Sequence, residues 1–199
     1  TTRFPGERAH ALYIALSLAS YKKAGHTVRV IAPRRFGRVR ARAQDYFSLL
    51  CEVPVTYLPV IDTMYVPLLS RIAFYLFTLT FSASLFWYSL WTLSRNSIVF
   101  TADAFIALLL SRLGYKVVYE VHDYPERKGW IYRKVFSSVA YVLTNNAWKK
   151  NELHNDFGVS LNRIVVAHKG VALDMFAIHK TRNETRSILS LPLDTHIVL

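Results

Sequence analysis

SIVFTADAFIALLLSRLGYKVVYEVHDYP, residues 97–125, is the stretch that decides the fold. Ser97 to Thr101 is a short apolar run without polar alternation, the pattern of a strand covered on both faces. Ala104 to Leu113 reads as a helix ended by Gly114, and Lys116 to Val121 as a second strand. Two strands joined through a helix run parallel, because the crossover returns the chain to the end where it began. The same unit recurs on both sides. Upstream, Ala11, Leu12, Ala15, Leu16, Leu18 and Ala19 share one face of a helix from Ala9 to Ala24, Gly25 stops it, and Thr27 to Ala32 is a strand. A helix around Ala43–Leu50 and a strand near Val55–Leu58 follow. Downstream lie a helix over Glu126–Val139, a strand over Ala140–Thr144, a helix over Asn145–Phe157 capped by Asn145 and closed by Gly158, and a strand over Arg163–Ala167. This alternation predicts an α/β fold: a Rossmann-like open parallel sheet with helices on both faces.

The ends fit that reading only in part. Thr1 to Arg8 runs straight into the first helix with no strand before it, and His196 to Leu199 closes on an apolar run. The expectation is an internal portion of a longer protein, with a central strand before Thr1. Thr27–Ala32 and Ser97–Thr101 would then each lack one row of backbone partners.

A chain of 199 residues suits one such domain, or one domain and part of a second, and 52% apolar residues exclude disorder as the main state. The single cysteine, Cys51, excludes a disulfide framework and a cysteine zinc site. With 25 Lys+Arg against 13 Asp+Glu, the net charge of +12 points to a polyanionic partner. Five arginines, Arg34, Arg35, Arg38, Arg40 and Arg42, fall within nine residues. They suit a solvated loop, an acidic membrane surface or a charged acceptor. Nucleic acid is not expected, because the aromatic residues concentrate elsewhere.

That elsewhere is Ile72 to Ser94, 23 residues without a charge, 16 of them apolar or aromatic. The length is that of a transmembrane helix. A single crossing would, however, put the strands before and after it on opposite sides of a bilayer. The seven Ser and Thr within it also weaken a spanning reading, and a buried or membrane-surface helix pair is expected.

In an open parallel sheet ligands bind outside the carboxyl ends of the strands. Two loops have that address. Gly6, Glu7 and Arg8 precede the first helix, where Gly6 permits close backbone approach and the helix amino end offers free N–H groups to an anion. His122, Asp123 and Tyr124 follow the strand Lys116–Val121 directly, and a histidine there suits a sugar or phosphate contact or, alternatively, a hydrogen bond within its own loop, the ligand contact being favoured by the position. The other histidines are dispersed, without a ligand pair, so no metal site is expected. P-loop, dinucleotide and nucleophile-elbow motifs do not occur.

Together, FPGERAHALYIALSLASYKKAGHTVRVIAP, SIVFTADAFIALLLSRLGYKVVYEVHDYP and YVLTNNAWKKNEL with FGVSLNRIVVAHKGVALDMF resemble the N-terminal domain of family-four retaining glycosyltransferases of the GT-B fold. The resemblance covers most of the chain and is weak over Phe36–Arg95. It implies that residues 1–178 form the acceptor-side domain, and that 179–199 are linker and the start of the nucleotide-sugar-binding domain. It implies transfer of a sugar from a nucleotide diphosphate-sugar to a glycan or lipid-linked saccharide, without cofactor or metal. His122 of EVHD would touch the donor sugar. Lys169 and Gly170 would lie in the hinge element HKGVALDMF, with Lys169 where relatives carry Asn and Ala172 where they carry Asp. The donor would be held mainly by the second domain, so these residues alone would be inactive, in a cytoplasmic protein peripheral on the membrane. The alternative is a peripheral membrane-binding module with the same core and no catalysis.

Overall fold

The structure is a computed structural model and describes residues 3–37, 39–63, 70–125, 129–168, 170 and 180–196. Helix α1 (Ala9–Lys23) buries Ala11 and Ala15, so its backbone lies close to what it covers, and Lys22 and Lys23 complement its negative end. Strand β1 (Val30–Pro33) pairs in parallel with β2 (Val55–Leu58), Val30 opposite Val55 and Pro33 opposite Leu58. Between them the expected helix is a single turn, α2 (Ala43–Tyr46). The apolar stretch forms one continuous helix, α3 (Ser70–Trp91), not a pair.

The deciding stretch forms the expected elements, but its first strand is not covered on both faces as expected: Ile98 and Phe100 are exposed and Val99 and Thr101 half-buried, because one face of this strand carries no helix over it. Strand β3 (Ile98–Thr101), helix α4 (Ala104–Arg112) and β4 (Lys116–Val121) are followed by α5 (Trp130–Ser138), β5 (Tyr141–Thr144), α6 (Ala147–Phe157) and β6 (Ile164–Val166). Asp103 caps α4 by accepting from the N–H groups of Phe105 and Ile106. Gly158 ends α6 at φ 67°, in the left-handed region that glycine enters without strain. The α6 cap is Asn146, not Asn145: its side chain accepts from Lys149 N at 2.8 Å, three residues on, while Asn145 takes the Lys149 ammonium. The strand expected from Thr27 begins only at Val30, because its partner begins at Val55. The helix expected over Glu126–Val139 begins at Trp130, and residues 126–128 lie outside the described residues.

Instead of one continuous sheet there are two parallel ladders, β1–β2 and β3–β4–β5–β6. Among the described residues β1 pairs only with β2, and β3 only with β4. One core joins the ladders. Leu58 of β2 and Leu85 of α3 lie in the same buried cluster as Ile106, Val117, Val135, Phe136, Val142 and Ile164. A smaller cluster holds Phe4, Ala11, Ala15, Ala32, Ala43, Phe47 and Val53. Parallel sheets flanked by helices are the Rossmann-like arrangement.

The chain divides into two units, Thr1–His168 and Lys169–Leu199. The second holds α7 (Arg182–Ile188), opened by a capping box in which Thr181 and Glu184 bond reciprocally. The Thr181 bonds hold the Glu184 carboxyl below its usual range.

Candidate functional site

Side chains alternate across a strand, so Glu120 and His122 lie on one face at the carboxyl end of β4. The Glu120 side chain is nearly buried, and its Oε1 lies 3.5 Å from His122 Nδ1. The same oxygen accepts from the Tyr13 hydroxyl of α1 at 2.9 Å. Burial first, and then this carboxylate, push the Tyr13 phenol up to about 12. A buried carboxylate between a phenol and an imidazole is satisfied by both. It also favours the tautomer with the proton on Nδ1, leaving the lone pair on Nε2.

His122 Nε2 is buried and has no hydrogen-bond partner, although the side chain as a whole is 24% exposed. An unsatisfied buried polar atom costs about 1–3 kcal/mol, so it marks a place where a ligand atom would be favourable. The ring of His10 stands edge-on to it, centroids 5.0 Å apart, and that of Tyr13 at 6.0 Å. From below, the ammonium of Lys149 on α6 donates to the carbonyl of His122 and, at 3.1 Å, to Asn145 Oδ1. Lys149 is itself buried, so these acceptors are what make its charge tolerable. His122 is therefore gripped from three elements, with one ring nitrogen left unused.

The sequence-derived residues distribute unevenly around it. Gly6 is buried; a Cβ there would sit 2.7 Å from the carbonyl oxygen of Arg3, so only glycine fits. The Tyr57 hydroxyl ties this loop down by donating to the Phe4 carbonyl at 3.0 Å. Glu7 and Arg8 are exposed, and Arg8 opens α1 through its carbonyl, which accepts from Ala11 N, not through its side chain. The loop thus leads into α1, whose second residue, His10, meets His122. Asp123 is exposed. In Tyr124 the hydroxyl donates to Asp156, and the ring lies 5.4 Å from Trp148 and 6.3 Å from Phe157. It fixes the loop to α6. Burial and Asp156 raise its phenol far above the ordinary range. Lys169 lies outside the described residues, and Gly170 is exposed in the second unit.

Sequence reasoning did not single out Glu120, Tyr13, His10 or Lys149. The signal for Glu120 was present: a lone carboxylate in KVVYEV, two residues before His122, needs a buried partner. The other three are brought there by packing, Tyr13 from 107 positions away.

A family model for Glycosyltransferase Family 4 matches residues 8–175. The chain belongs to glycosyltransferase family 4. No curated protein matches it. Membership makes the protein a transferase of glycosyl groups by class, and the crevice at the strands' carboxyl ends is where such a fold takes its ligands. Among the described residues, two buried side-chain polar atoms without a hydrogen-bond partner stand at the strands' carboxyl ends, His122 Nε2 just past β4 and Thr144 Oγ1 at the end of β5.

Proposed function

We propose that this domain is the acceptor-side half of a retaining, hexosyltransferase-type enzyme. It would move a sugar from a nucleotide diphosphate-sugar to a glycan or lipid-linked saccharide, with no metal or cofactor and no nucleic-acid partner. The observation that carries the reading is the buried, unpartnered Nε2 of His122 at the carboxyl end of β4. A lone pair there would accept from a donor-sugar hydroxyl once a neighbouring side chain gives way to it; Glu120, itself bonded by Tyr13, faces the imidazole at Nδ1, and Lys149 holds the main-chain carbonyl of His122. Glu120 and Lys149 are positioning residues, because they act through His122. The exposed Glu7, Arg8 and Asp123 offer themselves to the acceptor, and the buried Gly6 lets the loop that carries Glu7 and Arg8 turn into α1.

On this reading residues 179–199 begin the nucleotide-sugar-binding domain, with Lys169 and Gly170 in the hinge. Cationic side chains and helix amino ends of that domain would stabilise the departing diphosphate. Residues 1–199 alone would then turn over no donor. The test is transfer by the full-length protein carrying His122→Ala. A loss of at least about tenfold, about 1.4 kcal/mol of transition-state stabilisation, is expected. Unchanged kinetics in a folded variant would remove His122 from the site.

A further inference from the structure

Helix α3 has two very different faces. Ala73, Phe77, Leu85 and Ser89 form a buried seam along one side. Phe77 is fully buried, with the Arg35 guanidinium 5.1 Å from its ring centroid, and Arg35 is held by Asp62 at 3.1 Å. The other side carries Ile72, Tyr75, Leu79, Trp87, Leu90 and Trp91, all exposed, with Tyr75 at 70%, Leu79 at 67% and Trp91 at 81%. At 1.5 Å per residue this uncharged stripe is about 28 Å long. A patch of that extent marks an interaction surface.

The direction of α3 places the stripe. Near the helix middle, Ser84 donates to the carbonyl of Pro59, just past β2, at 2.6 Å, and Ile61 N donates to Thr80 at 3.1 Å. At its far end, Arg29, before β1, donates to the Tyr88 hydroxyl at 3.2 Å, and Tyr115, before β4, donates to the Ser89 and Leu93 carbonyls. The helix therefore runs from the strands' carboxyl ends to their amino ends. Its first turns stand beyond β2 on the same side as His122.

Charge identifies the partner. No carboxylate occurs between Asp62 and Asp103, while Arg3, Arg34, Arg40 and Arg71 are exposed and the chain carries +12. An uncharged stripe that begins beside the exposed Arg71 and ends in tryptophans, on a chain of +12, is complementary to an anionic lipid surface. By length and composition Arg71–Trp91 is also a candidate span. Crossing is incompatible with the core: Leu58 before the helix and Val117 after it share one buried cluster, so both lie on one side.

We propose that the outer face of α3 docks monotopically on a bilayer of acidic phospholipids, its apolar side chains in the interface and the arginines on the phosphates. Resting on the transferase reading, the consequence is that the crevice opens beside the membrane and the acceptor is a saccharide on a lipid carrier. The cytoplasmic leaflet, the more anionic one, is the surface expected.

The experiment is flotation of the full-length protein with phosphatidylcholine vesicles, pure or containing about a third phosphatidylglycerol. Binding to the anionic vesicles, weakened by high salt and released by alkaline carbonate, is expected. Tyr75→Glu with Leu79→Glu, at exposed positions, should lower that binding at least about tenfold with unchanged circular dichroism. Three results would overturn the proposal: resistance to carbonate, equal binding by the variant, or no vesicle binding with self-association that the variant abolishes. His122→Ala should bind vesicles normally. Wild-type protein that binds vesicles but transfers no sugar would sink the transferase reading alone, and transfer to a water-soluble acceptor without vesicle binding would sink the docking surface alone.

Discussion

The β3–β6 ladder and the β1–β2 ladder are made of similar short strands, yet they are covered very differently. In the four-stranded part, Val117, Val142, Phe136 and Leu153 are fully enclosed between α4, α5 and α6. In the two-stranded part, the buried set around α1 consists largely of alanines, and α3 leaves its large side chains on the outside. One half is built to be stable and to hold His122 still. The other is built around a surface. The contrast separates apolar residues that make the fold from apolar residues left exposed, and α3 contains both kinds within a single turn.

That contrast is easiest to break at neighbouring positions. Phe77→Ala should cost about 3–5 kcal/mol, a large part of the roughly 5–15 kcal/mol that holds a domain together. Leu79→Ala, two residues along, should stay within about 0.5 kcal/mol. Denaturant melts of the two variants measure this. If Leu79→Ala cost as much as Phe77→Ala, the outer face would be covered within the protein itself, and the difference between the halves would vanish.

A smaller effect sharpens the other half. Glu120→Gln keeps the shape beside Tyr13 and removes the charge that faces Nδ1. It should lower transfer by the full-length protein about threefold to tenfold, about 0.7–1.4 kcal/mol, and displace the rate–pH profile. A uniform loss at every pH would leave Glu120 with a purely structural part.

Much of the four-stranded half was readable from residues alone. The range of β4 coincides with the sequence reading and α4 starts where expected and ends one residue early, as in the other half β2 coincides too, because glycines and a β-branched run are local signals. What failed was long-range. The start of β1 depends on where Val55 stands, and the division into two ladders depends on which strands find partners. His122 was readable because it follows a strand directly. The rest of the site was not, since Glu120 gains its meaning from Tyr13, and the bond of Tyr124 to Asp156 spans 32 residues. The apolar stretch was recognisable in extent but not in form, because periodicity does not say whether 23 uncharged residues make one helix or two.

The smallest expected effect is alkaline. The folded Tyr13 phenol, at about 12 against an ordinary value of 10, favours the neutral form of the folded state. Its contribution to stability is complete below pH 10 and is lost as pH rises through 12. Tyr13→Phe should therefore lose less stability than wild type across that window in melts followed by circular dichroism. A steeper alkaline decline in Tyr13→Phe would contradict the burial of this hydroxyl against Glu120.

The central claim is that the idle nitrogen of His122 awaits the donor sugar, and the direct measurement is a structure of the full-length protein with a nucleotide diphosphate-sugar bound. The account predicts a sugar oxygen at hydrogen-bond distance, about 2.7–3.2 Å, from His122 Nε2, with Glu120 still facing Nδ1. A well-ordered donor sugar held elsewhere, with Nε2 as unpartnered as it is now, would contradict it.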